Sequence, residues 1–228
     1  MTPRYIELLC SLPYLADPFV HRRPPISEVQ LLKRLSMLDF ADRELVRELA
    51  AAFYWGRIRL DDSDAEIVTR AGRLIERVEP EDLREWLLWR MDIRTLVAAL
   101  RRRHNGESSA PVALRWGYGR YARYIERNWT HPHFRLESRF PWLPQAKLLL
   151  ETGESHQLEQ LLLSSVWGYY QQQQADEQYS LSEVWLYLMK WDLVERWCSY
   201  DADHAREQFD ALADMGLEQS LQELRNIA

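Results

Sequence analysis

Apolar residues recur three and four positions apart along nearly the whole chain, and no segment alternates with a sustained period of two between turn residues. This pattern predicts an all-α fold, a multi-helix funnel or bundle with short connections and no substantial sheet. The chain is read as one helical domain over residues 1–228, with 1–106 and 107–228 as its two lobes if it divides.

A short apolar segment, Tyr5 to Leu9, comes first. The stretch Ser11 to Pro25 carries four prolines and reads as an extended connection. Ser27 caps the next predicted helix, which uses Val29, Leu32 and Leu35, and Asp42 starts another through Leu45, Leu49 and Phe53. Asp61, Asp62 and Ser63 place acids and a cap before a helix reaching about Val78, and Pro80 belongs to the first turn of its successor. That successor is the longest: Leu83, Trp86, Leu87, Ile93, Leu96, Val97 and Leu100 share a face, and Arg101, Arg102 and Arg103 sit where a helix C-terminus favours cations. Asn105 and Gly106 end it.

Residues 107–111 are small and polar and read as a linker. Val112 to Trp129 is expected to be helical despite Gly117 and Gly119, and His131 to Pro144, with three prolines, irregular. Helices are expected at Gln145–Leu150 and Ser155–Gln174, the latter ending in an exposed glutamine turn. Ser180 or Ser182 then caps a helix apolar on both sides (Val184, Trp185, Leu188, Leu193 and Trp197, with Leu186 and Met189 opposite), the mark of a central element. Asp203 to Leu224 reads as two short amphipathic helices broken at Gly216.

Composition adds rigidity to this picture. Ten Trp and eleven Tyr against eight Gly favour long helices with short joints. Cys10 and Cys198 are distant and belong to no CxxC pair, so neither a metal ribbon nor a disulfide framework is expected, and a reducing cytosol is the default. Glu7 and Pro13 break the only N-terminal apolar stretch, and no apolar run approaches the roughly 18 residues of a span. The expectation is a cytoplasmic protein that reaches the inner membrane through partners rather than by a span of its own.

The net charge of −6 is unevenly spread. Residues 94–139 hold 10 Lys+Arg against 3 Asp+Glu, whereas residues 141–228 hold 5 against 15. Blocks of opposite sign suit docking faces and do not by themselves point to nucleic acid.

No catalytic constellation emerges, so the chain is read as a non-enzyme without cofactor or metal. His131 and His133 lack a third ligand, and the proline between them points their rings apart. Gly117-x-Gly119 follows no strand and has no third glycine, so it lacks the geometry that cradles a phosphate. Arg115, Trp116, Tyr118, Arg120, Arg123 and Arg127 interleave cations with rings, a mixture able to stack on unpaired bases. The plainer reading, which makes nucleic acid the lesser alternative, is that Trp116, Tyr121, Tyr124 and Trp129 pack inward. The interface candidates are these six residues with Arg101, Arg102, Arg103 and Trp142.

Five strings, taken in order, carry a resemblance: Ser11-Leu12-Pro13 after Tyr5, Pro24-Pro25-Ile26-Ser27, Trp116-Gly117-Tyr118, Arg139-Phe140-Pro141-Trp142, and Leu186-Tyr187 followed by Glu195-Arg196-Trp197. Together they resemble an uncharacterised bacterial family encoded among the genes of V/A-type rotary ATPases, where the central-stalk subunit called C or d would stand. The resemblance implies a funnel of helices that sits on the rotor ring, receives the central stalk, transmits torque and performs no bond chemistry.

Overall fold

The computed structural model describes residues 5–54, 63–111 and 116–200. Among them the architecture is helical throughout, with no strand. The helices are α1 (Ile6–Ser11), α2 (Glu28–Leu35), α3 (Phe40–Phe53), α4 (Asp64–Arg77), α5 (Glu81–His104), α6 (Ala122–Arg127), α7 (Leu143–Glu151) and α8 (Ser155–Gln171), with a 3-10 turn at Pro18–Val20. Residues 181–200 form a further helix, α9. The expected helices of 203–224 lie outside the described residues.

Helix starts follow local chemistry. The hydroxyl of Ser27 accepts from the Gln30 N–H while the Gln30 side chain accepts from the Ser27 N–H, and Ser63 and Glu66 form the same reciprocal box at α4. α3 begins earlier than expected, capped by Asp39, with Asp42 inside its first turn. Pro80 is the residue before α5 rather than in its first turn. The end of α5 is a Schellman closure: Gly106, at φ +90°, donates to the Arg103 carbonyl and Glu107 to the Arg102 carbonyl.

α5 organises the bundle. It packs against α4, α6 and α7, while α3 packs on α4 and α7 on α8. Leu83, Leu87, Ile93, Leu96 and Ala99 are essentially sealed from solvent, and Trp89 stacks on Tyr169 of α8 with ring centroids 3.6 Å apart. α9 is likewise buried around its circumference, from Val184 and Trp185 to Leu193 and Val194. One cluster of buried residues runs from Tyr5 to Cys198.

The proline-rich segment before α2 is largely extended, as its sequence predicts, and α9 holds it. Tyr187 donates to the Pro13 carbonyl (3.0 Å), Trp191 to that of Ile26 (2.9 Å) and Cys198 to that of His21 (3.5 Å). Positions 187, 191 and 198 lie on one stripe of a helix. Phe19 adds an edge-on contact to Trp197 at 4.8 Å. At the other end of the strap, the buried Tyr5 hydroxyl donates to the carboxylates of Asp39 and Asp42.

Candidate docking and binding surfaces

The basic, aromatic segment is mostly a structural joint. Residues 116–121 precede α6 without being helical, contrary to the expected helix over 112–129, whose residues 112–115 lie outside the described range. The two glycines explain the departure. Thr95 of α5 donates to the Tyr118 carbonyl (2.7 Å) and accepts from the Tyr118 N–H (3.0 Å). Asp92, fully buried one turn away, accepts from the backbone N–H of Arg120 (2.7 Å) and from its Nε (2.9 Å). A Cβ on Gly117 would lie 2.6 Å from the Thr95 methyl group, and one on Gly119, at φ +121°, 2.2 Å from Asp92 Oδ1. Backbone therefore approaches α5 more closely than any side chain permits.

Burial pushes the Asp92 carboxyl above its usual range, against the pull of Arg120. Arg120 also reaches Glu85 at 2.8 Å. Trp116 is buried with its ring edge-on to Trp129 at 5.7 Å and donates to Glu126, and Trp129 donates to the Glu107 carbonyl (2.9 Å). Tyr121 packs edge-on against Phe140 at 5.3 Å. The inward packing expected for Trp116, Tyr121 and Trp129 is found; Tyr124 is exposed.

The other candidates divide by location. Arg102 pairs with Asp64 (2.6 Å) and Glu107 (2.9 Å), which ties down the start of the expected linker. Arg103 donates to the carbonyls of His131 (2.6 Å) and Pro132 (3.0 Å) and lies over the Phe134 ring. Tyr118 packs against Gly72 of α4, and Trp142 is half-buried beside Phe140. Arg101, Arg123 and Arg127 are exposed, and Arg115 lies outside the described residues.

His131 and His133 occupy a run of turns, with ring centroids 6.2 Å apart, and His131 Nδ1 accepts from the N–H groups of His133 and Arg135. Among the described residues no group of three or more His, Cys, Asp or Glu side chains is placed to hold a metal ion. No helix there is long and apolar enough to cross a membrane.

A surface that the sequence reading passed over lies on α2. The expected inward face was Val29, Leu32 and Leu35; instead Leu31, Leu35 and Leu38 are buried, and Val29 is 78% exposed and Leu32 58%. Met37 and Phe40, the latter 72% exposed, add apolar exposure at the turn into α3. Charged neighbours frame it: Glu28, Lys33 and, lying over the Phe40 ring, Arg43. The signal available in the sequence was two competing apolar stripes on one short helix.

Beside α5, a cleft of about 520 Å³ is lined by Arg90, Arg94, Arg101 and Arg102 with Phe53 and Leu162. Compared with known proteins, the chain matches no family model, no curated protein and no solved structure.

Proposed function

We propose that this chain is a non-catalytic docking subunit, and that its setting is the coupling region of a bacterial V/A-type rotary ATPase, between rotor ring and central stalk. The observation that carries the docking role is the exposed apolar surface of Val29, Leu32, Met37 and Phe40. Large apolar side chains exposed close together in sequence and among charges suit burial against a partner protein. The setting comes from the resemblance of the five ordered strings. Rigidity supports it as well: a bundle cored by stacked tryptophans and tyrosines deforms little under load.

Burial of Trp116 and Trp129, and the engagement of Arg120 by Asp92 and Glu85, leave the nucleic-acid alternative with Tyr124, Arg123 and Arg127 as its exposed ring and cations, which favours the docking reading. Co-purification tests the proposal. Tagged chain drawn from native membranes in mild detergent is expected to bring down ATPase subunits, and a Val29→Asp/Leu32→Asp variant is expected to fold normally and lose them. Failure of the wild-type chain to retain any ATPase subunit sinks the ATPase setting. Retention by the double variant sinks the α2 surface.

A further inference from the structure

The arginine-lined cleft beside α5 has chemistry that the docking role does not use. Positions 90, 94, 97 and 101 fall within about 60° of one another around a helix, so Arg90, Arg94, Val97 and Arg101 form one stripe facing the cleft. Its volume of about 520 Å³ lies inside the range of small-ligand sites, roughly 300–1,000 Å³. Val97 and Ala98, both half-buried, give it an apolar wall.

Arg94 shares its acid with a neighbour. Among the described residues, Asp64 and Glu107 are the carboxylates on the lining, and both are in close contact with Arg102, at 2.6 and 2.9 Å. Arg94, whose side chain is only 25% exposed, meets Asp64 at 3.9 Å. Burial, countered by Asp64 and reinforced by repulsion from Arg90, Arg101 and Arg70, lowers the Arg94 guanidinium below its ordinary range. A largely buried cation that shares its described carboxylate partner with a closer arginine is stabilised by an added anion.

We infer that this cleft binds a small organic anion of the diphosphate class, held by Arg94 and Arg101, with its apolar body against Val97 and Ala98. Seven positions along α5 separate the two arginines, a rise of about 10 Å, a span within the combined reach of two arginine side chains and two adjacent anionic groups. The planar guanidinium fork matches phosphate oxygens in pairs. The assignment is independent of any ATPase partner.

Calorimetric titration and thermal melting of the full chain test it, with inorganic pyrophosphate and adenosine diphosphate as probes. One binding site is expected for each, both raising the melting midpoint, with the diphosphate that carries a ring system binding more tightly. Arg94→Gln and Arg101→Gln should each weaken binding by about tenfold or more, one charge-assisted contact being worth about 1.4 kcal/mol. Arg123→Gln, on exposed α6, should leave it unchanged. Absence of binding overturns the site, and so does an equal loss in the Arg123 variant, which would mean diffuse attraction. Equal affinity for the two probes overturns the role of the apolar wall. Arg94→Met keeps the stem and removes the charge, so the free protein should melt at or above wild type and no longer respond to pyrophosphate. A midpoint well below wild type would show the charge already compensated within the chain and would end the proposal.

Discussion

Gly119 and Asp92 illustrate how a single atom decides a fold locally. With φ at +121° and Asp92 Oδ1 2.2 Å from where a Cβ would stand, Gly119→Ala must both strain the backbone and displace a buried carboxylate. A loss of about 3 kcal/mol is expected in chemical denaturation. Asp92→Ala leaves the Arg120 backbone N–H and Nε without their acceptor and should cost a similar amount, about 3 kcal/mol, while Arg123→Ala on the exposed face should be close to neutral. The paired glycines were visible in the sequence, and so was their unsuitability for phosphate. Their actual neighbours were not, because Thr95 and Asp92 bond the adjoining Tyr118 and Arg120 from 23 and 28 residues upstream and no local spacing connects them. The arginines were hidden in the same way: a run of cations looks solvated until the carboxylates and carbonyls it meets are located.

Tyrosines give a residue-scale pH prediction. Burial pushes the Tyr169 phenol up to about 12 and drives those of Tyr170 and Tyr187 upward too. Groups raised in the folded state stabilise it fully below the ordinary phenol range near pH 10 and lose that contribution as pH climbs through the raised value. Stability should therefore fall from about pH 10 toward 12, and part of the tyrosinate absorbance should appear only as helical circular dichroism is lost. Complete titration near pH 10 with helicity intact would contradict this.

Among the elements, caps were the most legible feature and faces the least. Ser27 and Ser63 announce their helices through chemistry confined to four residues. Ser63→Ala should destabilise by about 1 kcal/mol in a denaturant titration. α2, by contrast, carries apolar side chains at 29, 31, 32 and 35, which supply two stripes sharing Leu35. Periodicity cannot choose between such stripes; the position of α1 and the rest of the core does. The same ambiguity is absent from α5 and α9, where apolar residues on all sides admit one answer, burial. The length of the helix after Gly119 was misjudged because hydrogen bonds to Thr95 and Asp92 compete with helical ones, and that competition is tertiary.

At the scale of the whole molecule, part of the basic stretch is met among the described residues by acids of neighbouring helices. Acids from α4 and α5 themselves, Asp64, Glu85 and Asp92, engage Arg102 and Arg120 of the basic stretch, with Glu107 completing the set. The strap of residues 12–26 across α9 is the feature that joins distant parts of the chain. Tyr187→Phe and Trp191→Phe each remove a donor from a strap carbonyl and should cost about 1 kcal/mol. Limited proteolysis should show the cleavage rate rising at 12–26, with the α5 region unaffected.

Tyr187 follows Pro13 by 174 residues and Trp191 follows Ile26 by 165, which orders events during synthesis. The strap is synthesised well before the helix whose side chains donate to its carbonyls, so it waits through the making of everything between them. Until α9 emerges, the strap and the apolar residues it covers, Trp191 and Trp197 among them, have not met. Nascent chains stopped before residue 187 should therefore keep the 12–26 segment open to protease, and those released after 200 should protect it, making closure of the strap a late and readable step in the birth of this protein.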